Sequence, residues 1–131
     1  MSKANGPLHE KLPRLRKGKT HSISIDGFEG HLITGEYEDG SLGQIFLYVA
    51  KQGSTLRGVF DCWATAVSLG LQHGVPLESY VEKYVGQHFE PFGMSTDEDI
   101  KTVSSVSDYI FKRLAIDYLD DVALARLKLI P

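Results

Sequence analysis

The run Phe60-Asp61-Cys62-Trp63-Ala64-Thr65-Ala66-Val67-Ser68-Leu69-Gly70-Leu71-Gln72-His73-Gly74-Val75-Pro76-Leu77-Glu78 constrains the fold more than any other segment of the chain. From Gly53 onward the apolar period is helical. Leu56, Val59, Phe60, Trp63 and Val67 fall on one face, and Cys62, Ala66 and Leu69 on an adjoining stripe. Arg57, Asp61, Thr65, Ser68 and Gln72 form the polar side. Ser54 or Thr55 can cap this helix. Gly74 stops it by admitting a left-handed backbone, and Pro76 suits the first turn of a second helix running to about Val85. So wide an apolar stripe predicts that the first helix is the central, buried one. In the second, Val81 and Val85 give an inner face, with Tyr80, Tyr84 or Leu77 beside it.

Before this segment the period is that of strands. Thr20 to Asp26 alternates, with Ile23 and Ile25 opposed to Ser22 and Ser24. Gly27 and Gly30 flank a turn, and His31 to Tyr37 forms a second strand. Asp39-Gly40 marks the next turn. Residues 44–50 form a third strand with Ile45, Leu47 and Val49 on one face and Phe46, Tyr48 and Ala50 on the other. Apolar on both faces, it is predicted to be central.

After the second predicted helix, residues 86–101 read as a loop whose acidic cluster can cap a short helical turn from Asp97. Ser104 or Ser105 starts another helix, with Val106, Tyr109, Ile110, Phe111, Leu114 and Leu119 buried. Asp120-Asp121 breaks it or opens a short terminal helix. Val122, Leu124, Leu127, Leu129 and Ile130 are apolar enough to dock, on the chain itself or on a partner, and a homo-oligomer is one way to cover them. The expected fold is α+β: a three-stranded antiparallel β-meander packed against three to four α-helices.

The 131 residues suit a single domain that buries its own core. Residues 19–131 are expected to form it, after a basic N-terminal arm, residues 1–18, punctuated by Gly6-Pro7, Pro13 and Gly18 and anchored by Leu8, Leu12 and Leu15. The net charge of −3 conceals an asymmetry. Residues 1–19 carry six basic side chains against one acidic, a balance of +5, and residues 20–131 carry a balance of −8. A basic segment on an acidic body meets either that body or an external phosphate or acidic partner. Arg14, Arg16, Lys17 and Lys19 lie within six residues and can meet several phosphates together, though no aromatic residue is interleaved among them. No apolar run reaches the roughly 18 residues of a membrane helix, so no membrane partner is expected. One cysteine allows no intrachain disulfide, so a cytoplasmic setting is expected.

Motifs for chemistry are sparse. The five histidines are scattered, and no HExxH or CxxC spacing occurs, so no metal site is expected. The glycines match no phosphate loop, and no GxSxG elbow is present. Glu78 and Glu82, one turn apart, read as a solvated pair. Cys62 reads as a buried structural thiol.

Five ordered blocks carry a resemblance: Glu10-Lys11-Leu12-Pro13-Arg14-Leu15-Arg16-Lys17-Gly18-Lys19-Thr20, the strand-turn-strand Thr34 to Phe46, Ala66 to Glu78, Phe89-Glu90-Pro91-Phe92-Gly93-Met94, and Ser107 to Leu119. Together they resemble the C-terminal, TSCPD-domain region of adenosylcobalamin-dependent (class II) ribonucleotide reductases, from about residue 10 to residue 119. The resemblance matches Cys62 to the motif cysteine, although Asp61-Cys62-Trp63 stands where the domain's name implies Ser-Cys-Pro. It implies a stand-alone domain of that enzyme, because the family's catalytic barrel, redox cysteine pair and cobalamin site have no counterpart in these residues. No catalytic residue is carried over and no cofactor is expected. The implied role is a non-catalytic accessory or interaction module of deoxyribonucleotide synthesis, with a reductase catalytic chain as partner. The alternative is a nucleic-acid or nucleotide-binding module using the basic arm.

Overall fold

Asp26 and Gly27 hold φ angles of +44° and +86°, the two left-handed residues that a two-residue hairpin requires. They join β1 (Thr20–Ile25) to β2 (Phe28–Glu36), so Gly30 lies inside a strand and does not flank the turn. The computed structural model describes residues 9–129, which leaves Gly6-Pro7, Leu8 and Ile130 outside the described residues. A second turn at Tyr37–Gly40, with Asp39 Oδ1 accepting from the Ser41 amide and hydroxyl, leads to β3 (Leu42–Val49). The remaining elements are α1 (Ser54–Gln72), α2 (Leu77–Tyr84), β4 (Gly93–Met94), β5 (Thr102–Val103), α3 (Val106–Tyr118) and α4 (Asp121–Arg126). Among the described residues these give an α+β arrangement: a three-stranded antiparallel sheet ordered β1-β2-β3, the two-stranded pair β4-β5, and four helices.

The residues fall into two compact units. The first takes residues 9–21 and His31–Pro76, and the second takes Ser22–Gly30 and 77–129.

In the first unit β3 is an edge strand, not the central one its two apolar faces predicted. The centre belongs to β2, while Phe46 and Tyr48 remain exposed. An edge strand presents unpaired backbone groups, and α1 covers them. Ser68 Oγ accepts from the Ile45 amide (2.9 Å) and donates to the Ile45 carbonyl (3.2 Å). Gln72 Nε2 donates to the Gly43 carbonyl at 3.0 Å. This demand for polar partners explains why α1 sits otherwise than its apolar stripe predicted. It turns Ala64, Val67 and Ser68 inward and leaves Leu56, Val59 and Leu69 40%, 58% and 48% exposed. Its N-cap is Gly53, with no side-chain cap, where Ser54 or Thr55 was expected. Gly74, at φ +99°, ends it as expected. Replacing Ser68 by alanine leaves the Ile45 amide without its partner, and denaturant titration is expected to show a loss of about 1–2 kcal/mol.

In the second unit the buried helix is α3, not α1. Ser105 caps it by accepting from the Asp108 amide, and Val106, Tyr109, Ile110, Phe111, Leu114 and Ala115 are all buried. Tyr80 and Tyr84 of α2 lay their rings on Phe111, at centroid distances of 5.9 and 5.3 Å. Asp120 caps α4 through the Ala123 amide, so Asp120-Asp121 opens a helix. On it Leu124 is buried, Leu127 and Leu129 half-buried, and Val122 exposed.

Candidate functional site

The basic segment is placed by backbone pairing. The amides of Thr34 and Glu36 donate to the carbonyls of Lys19 and Lys17, each at 2.9 Å, and the Lys19 amide donates to Thr34 Oγ1 at 2.8 Å. The β1–β2 ladder thus reaches back to Lys17. Gly18 is required for it: a Cβ there would lie 1.9 Å from the Thr34 carbonyl oxygen. Further back, the Glu10 amide donates to the Gln72 carbonyl (3.0 Å), and the Tyr37 hydroxyl donates to the Glu10 carbonyl (2.5 Å). Leu12 packs at Gly43. Leu15, expected as an anchor, is 82% exposed.

Arg14, Arg16, Lys17 and Lys19 are all exposed. Lys19 Nζ lies 3.7 Å from Glu36. Arg16 and Lys17 line a groove of about 640 Å³ with Pro13, Leu15, Glu36 and Tyr37. Burial, followed by the charges of Glu10 and Asp39, raises the Tyr37 phenol above its ordinary value. The groove therefore carries both signs of charge.

The sheet face beside the segment was not anticipated as a site. On β3, Phe46 and Tyr48 alternate with buried Ile45, Leu47 and Val49. The His31 ring stacks on Tyr48, with centroids 6.0 Å apart and planes at 25°. A Cβ at Gly35 would meet Gln44 Oε1 at 2.8 Å and Arg16 Cδ at 3.3 Å, so the stem of Arg16 reaches the same face of β2 and β3. The sequence signal was present in the i,i+2 pair Phe46/Tyr48, but it read as a second buried face.

Cys62 is exposed, against the expectation of a buried thiol. The reason is the turn of α1 that directs Ser68 to the β3 edge. Cys62 and Ala66 now stand with Leu56, Val59 and Leu69 on the helix's outward side.

Among the described residues the second unit holds two buried charges, Asp108 and Arg113, each with its partners. Arg113 Nη1 donates to Asp97 (3.0 and 3.1 Å) and to Asp99 (3.0 Å), and its Nη2 donates to Asp117 (2.9 Å). The Tyr109 hydroxyl donates to Asp97 Oδ2 at 2.7 Å. Burial opposes ionisation of Asp97, but the bonds from Tyr109, the Asp99 amide and Arg113 outweigh it and hold the carboxyl below its usual value. Burial, reinforced by Asp97, pushes the Tyr109 phenol up. Burial disfavours the Arg113 cation, yet its hydrogen bonds to Asp117, Asp97 and Asp99 outweigh that and raise its pKa. Buried Asp108 accepts from the amides of Gly86 (2.6 Å) and Ser104 (2.9 Å) and pairs with Lys112 (2.9 Å). These charges tie loops to α3. Asp97, expected to open a helical turn, opens a non-helical one by accepting from the amides of Asp99 (2.9 Å) and Ile100 (3.2 Å), and serves the arginine as well. Glu78 and Glu82, read as a solvated pair, both pair with Arg126.

Among the described residues no group of three His, Cys, Asp or Glu side chains could hold a metal ion. His9 and His73 do meet, with rings stacked 4.9 Å apart and His9 Nε2 2.5 Å from Gln72 Oε1, a pairing that 64 positions of separation concealed. No helix of the described residues is long and apolar enough to cross a membrane.

The family model described as "TSCPD domain" matches residues 8–118. Over 113 residues, 86% of the chain, it is 49% identical to the vitamin B12-dependent ribonucleotide reductase of Streptomyces avermitilis and 44% identical to that of Rhodopirellula baltica. The Streptantibioticus cattleyicolor reductase is 48% identical over the same share. The chain spans 12%, 11% and 19% of these three proteins' lengths. No solved structure matches.

Proposed function

From the premise that the chain belongs to the TSCPD domain family and is related to the vitamin B12-dependent ribonucleotide reductases, we propose that it is a non-catalytic interaction module that docks on the body of such a reductase. The observation that carries this reading is the exposed apolar side of α1. Leu56, Val59 and Leu69, with Cys62 and Ala66, form an apolar stripe on a 19-residue helix. Contiguous exposed apolar surface of this kind marks interaction sites. In the relatives, four-fifths or more of the protein lies outside the matched region, so chain is available there to cover the stripe. The lone thiol of Cys62 cannot supply a dithiol for reduction, and the module takes no cofactor of its own. A role in deoxyribonucleotide synthesis follows from that attachment.

The test is sedimentation velocity of the purified chain mixed with a B12-dependent reductase, together with the rate of ribonucleotide reduction. A complex and a changed rate are expected. Val59→Glu with Leu69→Glu places two charges in the apolar contact and is expected to weaken the complex at least tenfold, about 1.4 kcal/mol. Thermal stability should stay near that of the parent chain, because both positions are exposed. Absence of a complex at about 100 μM of each protein, roughly 100 times a micromolar Kd, sinks the reading.

A further inference from the structure

A second surface, independent of the α1 stripe, carries its own ligand chemistry. Phe46 and Tyr48 are 51% and 56% exposed on one face of β3. His31 stacks on Tyr48 from β2, and half-buried Ile33 follows His31 on the same strand. Two residues along a strand separate successive side chains on one face by about 7 Å. The face is thus a short row of upright rings, and the stem of Arg16 crosses its Gly35–Gln44 end. Arg14, Lys17 and Lys19 continue the positive charge along the segment that leads there. Rings offer π-faces to any base, and the cations offer phosphate contacts. The missing side chain of Gly35 makes the junction, because a Cβ there would displace Gln44 or Arg16.

We propose that this face of β2 and β3, with the basic segment 14–19, is a binding site for single-stranded nucleic acid. Bases stack on Phe46, Tyr48 and His31, and the sugar-phosphate backbone runs toward Arg16. A duplex does not fit the chemistry, since its base faces are already stacked. A chain with a net charge of −3 gives no general attraction for phosphate, so the affinity rests on the local cations and falls steeply with salt.

The experiment is fluorescence anisotropy of a labelled dT12 strand titrated with the full chain. Four phosphate contacts give a log–log salt slope of about −2.8, or a roughly 50-fold loss between 50 and 200 mM salt. Phe46→Ala and Tyr48→Ala are each expected to weaken binding about 5- to 150-fold, and Phe46→Trp to retain it, which separates lost stacking from lost folding. Arg16→Gln should shallow the slope by about 0.7. Val59→Glu with Leu69→Glu should leave strand binding unchanged, so this site and the docking stripe fail or stand separately. The proposal is overturned by no binding at 50 mM salt, by binding indifferent to both alanine variants, by equal affinity for the matching duplex, or by displacement with free dAMP as effective as with unlabelled dT12.

Discussion

Arg113→Ala is expected to destabilise the protein by about 3–5 kcal/mol in urea titration at pH 7. The truncation leaves Asp97 and Asp117, whose side chains are 11% and 9% exposed, without the guanidinium that neutralises them, and a buried charge stripped of its partner costs that much. The pH dependence checks the cause. In the parent chain the Asp97 carboxyl lies below the usual carboxylate range, so its contribution is complete above about pH 4. It is lost as pH falls through the still lower folded value. In Arg113→Ala the stranded carboxylates gain by protonation, so the gap between variant and parent should narrow from pH 7 to pH 4. A gap that stays constant would mean that Arg113 contributes packing alone.

The second large effect is at Gly18. An alanine methyl there meets the Thr34 carbonyl oxygen at 1.9 Å, a backbone atom that cannot move aside without opening the strand pair. Relief requires breaking the bonds from the Thr34 and Glu36 amides, each worth about 0.5–1.5 kcal/mol. Residual crowding adds about 1–3 kcal/mol. Gly18→Ala is therefore expected to cost about 2–6 kcal/mol. In hydrogen exchange the amides of Thr34 and Glu36 should lose protection while those of α3 keep it at matched global stability. Unchanged protection at both amides would contradict the requirement for glycine.

Local signals in the sequence were legible where one or two residues settle the backbone. Gly74 stops α1, and Ser105 and Asp120 cap α3 and α4. The three strands of the sheet and three to four helices, in their order, follow from period and punctuation; the β4–β5 pair, whose first strand lies in residues that read as a loop, does not. What misled was the use of apolar area as a measure of burial. The stripe of α1 outweighs that of α3 in the sequence, yet an edge strand needs hydrogen-bond partners, and Ser68 and Gln72 supply them from the polar side. The same error placed β3 at the centre: Phe46 and Tyr48 read as core because nothing local distinguishes a buried ring from a displayed one.

The candidate sites divide along the same line. The cluster Arg14, Arg16, Lys17 and Lys19 was visible as charge density, but its placement against β2 depends on Gly18 lying across from Thr34. The rings that accompany it lie on strands 12 to 34 positions later. Arg113 and Asp117 stand at i,i+4 on α3, but nothing in the sequence marks that pair out. Their joining to Asp97, Asp99 and Tyr109 needed the fold.

The division of β1 and β2 between the two units has a hereditary consequence. Each strand begins among the residues of one unit and ends among those of the other, with the changes at His21/Ser22 and Gly30/His31. A single crossover between codons 22 and 76 would divide both units between two ancestors, since each unit draws residues from either side of it. Only a crossover outside the domain leaves both units of one ancestry.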